Sequence, residues 1–326
     1  MRDEIAIAAL AALTLAGVFA QSAAAEDKPW RNALVAAKSD AGIIMMVTKG
    51  FTDKQGLKLD EIQVDSDQIA LKALLAGELD TFEGSPSGSM IAASRGADVK
   101  TIGCEWPGLP HGVFVRAGIT KLEDLKGKTI AISQPGAMPD QLVRALLAKY
   151  GMTPDDVKFA NLGGDNDRYK ALIAGVVDAA VVSGEYTPIA AKANVTMLIP
   201  AREIFPDYLR TCIMTNSATI TGRHDALVRY LAAEITALRY AVSHRDETLA
   251  LTREITGIAA DDPRPAYIYD DAIRTQAVDP EIGLPLAKLD WMQQQSVKAG
   301  DQPRLVDLAK FADAGPRQEA LKLADK

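Results

Sequence analysis

The hydrophobic positions of this chain follow two periods, the alternation typical of a β-strand and the repeat typical of an amphipathic helix. Short apolar runs and helical stripes alternate along two stretches of the sequence, and each stretch holds four predicted strands. The predicted strands are 32–37, 57–64, 79–83, 99–104, 128–132, 157–160, 177–182 and 195–199. Strands that alternate with helices of about 10–15 residues favour a parallel sheet that helices cover on both faces.

From Gly222 onward the pattern becomes almost entirely helical, with stripes at 227–244, 246–255 and 285–299. Two α/β series followed by a helical tail predict a two-lobed α/β fold, in which each lobe is a mostly parallel sheet with helices on both faces. We assign residues 26–116 and 206–326 to lobe 1, which includes the tail, and residues 117–205 to lobe 2.

The N-terminal segment has the features of a targeting signal. Residues 5–20 form an uncharged apolar run of 16 residues, which is shorter than the about 20 residues that span a bilayer. Ala23-Ala24-Ala25 fits the small-x-small rule for cleavage. We therefore predict a signal peptide over residues 1–25, cleaved near Ala25, and an exported protein of the periplasm. The acidic pair Asp3 and Glu4 is unusual ahead of such a run, and a buried N-terminal helix is the alternative.

Composition excludes several classes of protein. The 326 residues are 48% hydrophobic and 24% charged, which is typical of a soluble globular chain. The net charge of −7 disfavours nucleic-acid binding, which requires a dense basic surface. With 3 histidines and 2 cysteines, a His-rich metal centre or a zinc ribbon is not expected, and we predict no cofactor. We expect Cys104 and Cys212 to be buried and unpaired, with a bridge between them as the alternative that the periplasm permits.

Five segments in a fixed order carry a family resemblance. They are VTKGFTDKQGL at 47–57, ALLAGELD at 73–80, RGADVK at 95–100, LEDLKGKTIA at 122–131 and ALIAGVVDA at 171–179. With these segments the chain resembles the periplasmic solute-binding proteins of ABC importers for nitrate, sulfonates and taurine. That clan of type II bilobal proteins also includes binders of aromatic acids and thiamine-type pyrimidines. The match covers residues 31 to about 200 and indicates fold and transport rather than a particular ligand.

The resemblance implies a non-enzymatic protein that captures a small organic anion or zwitterion between the lobes and delivers it to a cognate ABC permease and ATPase. It also implies two chain crossings, near 113–116 and 210–214, and closure of the lobes about this hinge. We expect a monomer.

Two other functions remain as alternatives. One is an enzyme on the same bilobal fold, such as a lyase or a pyrimidine synthase. It is disfavoured because the chain has no Gly-x-Ser-x-Gly elbow and no histidine within a few residues of either cysteine. The other, the effector domain of a transcription regulator, would require a helix-turn-helix region where the signal lies.

Ligands of open α/β sheets lie beyond the carboxyl ends of the strands, and this rule selects loops in both predicted lobes. The candidate ligand-binding residues are Ser39, Asp40, Ser66, Glu83, Ser85, Ser87, Trp106, His111, Gln134, Met138, Asn166, Arg168, Glu185 and Tyr186. At Ser85 and Ser87 a helix begins, and hydroxyls beside free backbone N–H groups favour an anion. The alternative is that these serines only cap the helix.

Arg168 is the predicted cationic contact, because a guanidinium binds a carboxylate or sulfonate through two parallel hydrogen bonds. The alternative is that Arg168 pairs with Asp165 or Asp167. His111 follows a Gly-Leu-Pro segment and is either a donor in the cleft or an ordinary loop residue.

Aromatic and acidic residues at the strand ends complete the prediction. Trp106 and Tyr186 would form apolar walls of the pocket, unless they pack in the core or the hinge. Glu83, Glu105 and Glu185 would repel an anion, and they would accept hydrogen bonds from an amino group. A zwitterion or an amino-heterocycle is therefore retained beside a simple anion.

Overall fold

A computed structural model describes residues 28–35 and 38–326 and shows two α/β lobes, each built on a five-stranded sheet. The predicted signal peptide lies outside the described residues. Within the described part of the chain, no helix has both the length and the apolar character that a membrane span requires. The two-lobed α/β fold predicted from the sequence is confirmed.

The strands match the predicted apolar runs closely. They are β1 (Trp30–Val35), β2 (Leu59–Val64), β3 (Thr81–Gly84), β4 (Lys100–Trp106), β5 (His111–Arg116), β6 (Thr129–Ile132), β7 (Lys158–Asn161), β8 (Ala179–Ser183), β9 (Val195–Pro200) and β10 (Thr211–Thr215). The sheet of lobe 1 has the order β2-β1-β3-β10-β4, and that of lobe 2 has the order β7-β6-β8-β5-β9. In each sheet one strand, β10 or β5, runs antiparallel to both neighbours. Both sheets are therefore mostly parallel, as predicted.

The helices cover both faces of the sheets and form the tail. They are α1 (Ala41–Ile44), α2 (Phe51–Lys54), α3 (Asp67–Leu75), α4 (Pro86–Ser94), α5 (Met138–Lys149), α6 (Asp165–Ile173), α7 (Thr187–Ala190), α8 (Ser217–Gly222), α9 (His224–Ser243), α10 (Arg245–Thr256), α11 (Arg264–Arg274), α12 (Leu286–Ala299), α13 (Leu308–Phe311) and α14 (Gly315–Ala324). Short 3-10 helices lie at Met46–Thr48, Leu122–Leu125, Pro154–Asp156, Gly184–Tyr186, Ala191–Ala193 and Ala201–Glu203.

The first crossing between the lobes lies earlier than the sequence suggested. Strand β5 pairs with β8 and β9, so it belongs to lobe 2, and the chain crosses at residues 107–110. The assignment of residues up to 116 to lobe 1, with a crossing at 113–116, was wrong. The physical reason is that β5 is buried and hydrogen-bonded along both edges in the interior of the second sheet. The second crossing lies over residues 201–210, between β9 and β10.

The two similar segments ALLAGELD and ALIAGVVDA adopt the same local structure in the two lobes. Gly77 and Gly175 follow α3 and α6 with φ of +76° and +75°, which glycine adopts without a steric penalty. Asp80 or Asp178 then lies directly before the next strand. In both lobes this carboxylate accepts a backbone N–H of the adjacent strand, β1 or β6, at 2.9 Å. The sequence repeat is thus a structural repeat.

Cys104 and Cys212 form a disulfide bond, so the expectation of two unpaired cysteines was wrong. The antiparallel neighbours β4 and β10 place the two Cα atoms 3.8 Å apart, well within the about 7 Å limit for a bridge. Cys104 precedes the first crossing and Cys212 follows the second. The bond therefore joins the two strands of lobe 1 from which lobe 2 departs and to which the chain returns.

The long helix α9 provides much of the core of lobe 1. Its apolar stripe, which includes Leu227, Tyr230 and Leu231, packs on Trp30 and Ile102 of the sheet. The Trp30 and Tyr230 rings stack at a centroid distance of 5.2 Å. Helix α14 lies against α9, so the tail returns to lobe 1 as the resemblance implies. Lobe 2 has a separate core around α5.

Candidate functional site

The facing surfaces of the two lobes enclose a cavity of about 580 Å³. Lobe 1 contributes residues of α3, α4 and the tail, and lobe 2 contributes the loop after β6 and the start of α5. The cavity lining includes Asp67, Ser85, Ser87, Arg95, Gln134 and Met138. Four predicted ligand-binding residues, Ser85, Ser87, Gln134 and Met138, are thus brought together from both lobes.

A second cavity of about 190 Å³ adjoins the first. Its lining includes Lys38, Asp40, Glu83, Glu105, His111 and Arg210. Asp67 and Ser85 line both cavities, so these two residues lie between them in the cleft. Most of the polar side chains that line the larger cavity are neutral, whereas most of those that line the smaller one are charged.

Three hydroxyl groups converge where the cavities meet. Ser85 is the N-cap of α4 and accepts the Ser87 backbone N–H at 3.4 Å. Its hydroxyl also lies 3.3 Å from that of Ser87 and 3.4 Å from that of Tyr208. Ser85 is therefore both a helix cap and a cleft residue. The two roles that the sequence analysis treated as alternatives occur together. Tyr208 was missed because it lies in an irregular segment after β9.

Asp67, and not its neighbour Ser66, faces the cleft. Ser66 caps α3 by accepting the Ile69 backbone N–H at 3.4 Å. Burial raises the pKa of Asp67 to about 6, although the Ser85 N–H and the charge of Arg210 act in the opposite direction. The carboxyl group between the cavities therefore titrates close to neutral pH.

Asp67→Asn should stabilise the ligand-free protein at pH 8 by about 1–2 kcal/mol. This is less than the about 3 kcal/mol that a two-unit pKa shift gives at about 1.4 kcal/mol per unit. Because the folded-state pKa is raised above the ordinary value, the charged form destabilises the fold as the pH rises through about 6. The stabilisation should disappear at pH 4. Urea denaturation of wild type and variant at both pH values measures the difference. Equal stabilities at pH 8 would contradict the assignment.

Arg168 does not face the cleft, so the prediction that it contacts the ligand is not supported. Its guanidinium donates to the Val181 carbonyl at 2.6 Å and to the Gly163 carbonyl, and it pairs with Asp165. The side chain is 4% exposed. The pairing within lobe 2 that the sequence offered as the alternative is the one observed.

Arg210 lines the smaller cavity together with Lys38, and the sequence did not single it out. It pairs with Asp40, and its guanidinium lies 4.4 Å from the centroid of the Trp106 ring. Burial raises the pKa of Asp40, but the charge and hydrogen bond of Arg210 together with the charge of Lys38 outweigh burial, and the pKa of that carboxyl group is lowered. Trp106 itself is buried in the core of lobe 1 and does not form an apolar cavity wall. The position of Arg210 beside the second crossing was the signal that could have identified it.

Contacts between the lobes lie beside the smaller cavity. Lys38 of lobe 1 donates to Asp165 of lobe 2 at 2.7 Å, and His111 lies 3.8 Å from the same carboxylate. Burial lowers the pKa of His111 despite the neighbouring Asp165. Ser39 lies opposite Glu185, whose pKa is raised by burial, with Ser39 opposing the rise. Residues predicted at strand ends of both lobes thus meet across the cleft.

Tyr186 packs inside lobe 2, and the exposed side chain of Asn166 accepts a hydrogen bond from it. The Tyr186 ring stacks on Tyr169 at a centroid distance of 4.1 Å, and its hydroxyl donates to Asn166 at 3.1 Å. Tyr186 is buried. The structure therefore supports packing in the core of lobe 2, the alternative to an apolar wall of the pocket.

Behind the smaller cavity, four glutamates lie close together inside lobe 1. Glu83 accepts hydrogen bonds from Asn32 at 2.9 Å and from Tyr230 at 2.7 Å. Glu105 and Glu234 lie next to it, and Glu61 contacts Asn32. Glu234 occupies the apolar stripe of α9, and a charge in such a stripe was the sequence signal that could have identified it.

Comparisons with known proteins agree with this architecture. The NMT1/THI5-like family profile matches residues 38–248. No curated protein sequence matches the chain. Among solved structures, the periplasmic aliphatic sulphonate binding protein SsuA from Escherichia coli is similar with a TM-score of 0.69 and 19% identity, over 87% of this chain and 91% of that one.

Two further structures extend the comparison. A putative periplasmic sulfonate-binding protein SsuA from Methylobacillus flagellatus KT has a TM-score of 0.73 and 16% identity, over 91% of this chain and 95% of that one. A DszB mutant in complex with biphenyl-2-sulfinic acid has a TM-score of 0.66 and 16% identity, over 90% of this chain and 99% of that one. These similarities show that the fold is that of the periplasmic binding proteins.

Proposed function

The chain belongs to the NMT1/THI5-like family, and on that premise we propose that it is the solute-binding component of an ABC importer. In this role it captures a small organic solute between its lobes in the periplasm and presents it to the membrane permease. The observation that carries the proposal is the cavity of about 580 Å³ lined by both lobes. A ligand that contacts both lobes stabilises the closed form over the open form, as delivery requires.

The size and polarity of the cleft favour a small organic acid or zwitterion. Cavities of roughly 300–1,000 Å³ accommodate small molecules, and the hydroxyls of Ser85, Ser87 and Tyr208 supply donors for an oxyanion. The start of α4 adds backbone N–H groups and the positive end of the helix dipole. Asp67, beside this donor group, accepts hydrogen bonds from an amino group. A taurine-like ligand would thus place its acidic end at the hydroxyls and its amino end at Asp67.

A thermal-shift screen with alkanesulfonates, taurine, aromatic carboxylates, nitrate and pyrimidines tests the proposal. A solute that binds only the folded protein at about 100 times its Kd should add about 2.7 kcal/mol to the free energy of unfolding, and the melting temperature should rise. If no compound of these classes raises it, the proposed ligand class is wrong.

Isothermal titration then tests the binding mode with the best ligand. Ser87→Ala should weaken an acidic ligand about 10-fold, because a hydrogen bond to a charged group contributes about 1.5–3 kcal/mol. Asp67→Asn should weaken taurine more than an alkanesulfonate without an amino group. Ser243→Ala, an exposed serine at the end of α9, is the matched control and should leave affinity unchanged. Equal affinities for Ser87→Ala and the control would remove α4 from the site.

An enzyme is the second candidate, because DszB has a similar fold. The chain has two cysteines, and both are joined in the disulfide, so neither is available as a thiol nucleophile. Mass spectrometry of the bound solute after prolonged incubation separates the two functions. Recovery of the unchanged solute supports the binding protein, and appearance of a product supports the enzyme.

A further inference from the structure

Three carboxylates from separate elements converge inside lobe 1. Glu83 lies on β3, Glu105 on β4 and Glu234 on α9, and one oxygen from each lies within 4.8 Å of the other two. Their exposed fractions are 2%, 1% and 1%. The group is therefore removed from water on all sides except where Glu83 and Glu105 line the smaller cavity.

Most of the oxygens in this group have no hydrogen-bond partner. Glu83 uses one oxygen to accept hydrogen bonds from Asn32 and Tyr230. Its other oxygen, both oxygens of Glu105 and one oxygen of Glu234 are buried and receive no hydrogen bond from an N–H or hydroxyl donor among the described residues, so only the neighbouring carboxyl groups face them. A buried polar atom without a partner costs about 1–3 kcal/mol, and more when it is charged. Four such acceptors close to one another would repel each other if all were charged. A bound cation or retained protons would remove this repulsion.

We propose that Glu83, Glu105 and Glu234 form a binding site for one divalent cation of the Ca²⁺ or Mn²⁺ type, reached from the cleft. An all-oxygen carboxylate set matches these hard cations. Ca²⁺ binds oxygens at about 2.3–2.6 Å, so ligand oxygens on opposite sides of the ion are separated by up to about 5 Å. The oxygens of the three glutamates lie within that span. Zn²⁺ is disfavoured because its structural sites use Cys and His.

The surrounding charges agree with a bound cation of charge two. Three carboxylates and one divalent cation leave a net charge of −1, and Arg210 at the same cavity, which already pairs with Asp40, offsets it in part.

Metal binding is measured on the full chain after removal of metals with a chelator, by equilibrium dialysis against Mn²⁺ or Ca²⁺. The expected result is one equivalent per chain, with thermal stabilisation that saturates at the same concentration. Tb³⁺ is a second probe, since Tyr230, which contacts Glu83, and Trp30, stacked on Tyr230, should sensitise its luminescence. No organic solute enters these measurements, so their outcome is independent of the transport function.

Glu234→Gln should weaken metal binding at least about 100-fold, because loss of even outer contacts at metal sites costs about 10–100-fold. The variant removes a buried charge, so its metal-free melting temperature should equal or exceed that of wild type. Glu105→Gln is the second variant. Glu254→Gln, an exposed glutamate of α10 paired with Lys49, is the matched control and should bind like wild type.

Three results would overturn the proposal: no saturable one-equivalent binding of Mn²⁺ or Ca²⁺, wild-type binding by both Glu234→Gln and Glu105→Gln, or occupation of the site by methylammonium in place of the metals. The last result would assign the cluster to the amino group of an organic ligand.

Discussion

Replacement of both cysteines by alanine should lower the free energy of unfolding by about 4 kcal/mol. The disulfide closes a loop with a sequence separation of 108 residues, and the chain-entropy relation gives about 4.7 kcal/mol for a loop near 100 residues. Loss of a native bridge typically costs about 2–5 kcal/mol. Urea denaturation of wild type and Cys104→Ala/Cys212→Ala, followed by tryptophan fluorescence, measures the change.

Wild type under a reducing agent is the matched control for this prediction and should show nearly the same loss. Because both cysteines are fully buried, reduction should require prior unfolding. The closed loop contains the whole of lobe 2, so the bond joins the two hinge strands at their base while lobe 2 itself carries no cross-link. A loss of less than 1 kcal/mol would show that the bridge does not constrain the unfolded chain.

Asp80→Asn should destabilise the protein by about 2–3 kcal/mol. Asp80 is 2% exposed and accepts hydrogen bonds from the Arg31 backbone N–H at 2.9 Å, from the Arg31 guanidinium at 3.0 Å and from Arg223 at 2.6 Å. Breaking a fully buried ion pair costs about 3–5 kcal/mol. We expect a smaller loss of about 2–3 kcal/mol for Asp80→Asn, because water screens the two partly exposed arginines.

The pH dependence of this variant has a definite sign. Burial alone would raise the pKa of Asp80, but the bonds from Arg31 and Arg223 outweigh it and lower the pKa. A depressed pKa contributes stability above the ordinary value near 4, and this stability is lost as the pH falls through the folded-state pKa. Denaturation at pH 7 and in acid should therefore show the difference between wild type and Asp80→Asn shrinking in acid.

Asp178→Asn is the matched control, because Asp178 occupies the equivalent position in lobe 2. It accepts the Thr129 backbone N–H at 2.9 Å, and no ion pair is found for it among the described residues. Its replacement should cost about 0.5–1.5 kcal/mol, the value of one ordinary hydrogen bond. Equal losses for both variants would show that the two arginines contribute nothing at Asp80.

The sequence alone determined the elements of the fold, because their signals are local. Apolar runs identified eight of the ten strands to within two residues at their ends, all except β5 and β10, and helical stripes identified α9, α10 and α12. The repeated helix–Gly–strand segments indicated two similar lobes, and the order of five motifs indicated the family. The strand-end rule identified Ser85, Ser87, Gln134 and Met138 as cleft residues, since the direction of a parallel strand fixes where its carboxyl end lies.

Only the tertiary structure decided which side chains meet, because partners far apart in sequence depend on strand order and on the relative position of the lobes. Nothing local places Cys104 beside Cys212, and the insertion of β10 between β3 and β4 does so. The sequence allowed Arg168 to contact either a ligand or groups of its own lobe. In the structure it donates to the Val181 and Gly163 carbonyls of lobe 2. The cluster of Glu83, Glu105 and Glu234 likewise exists only because α9 packs on that sheet, which brings a charge from an apolar stripe against two strand ends.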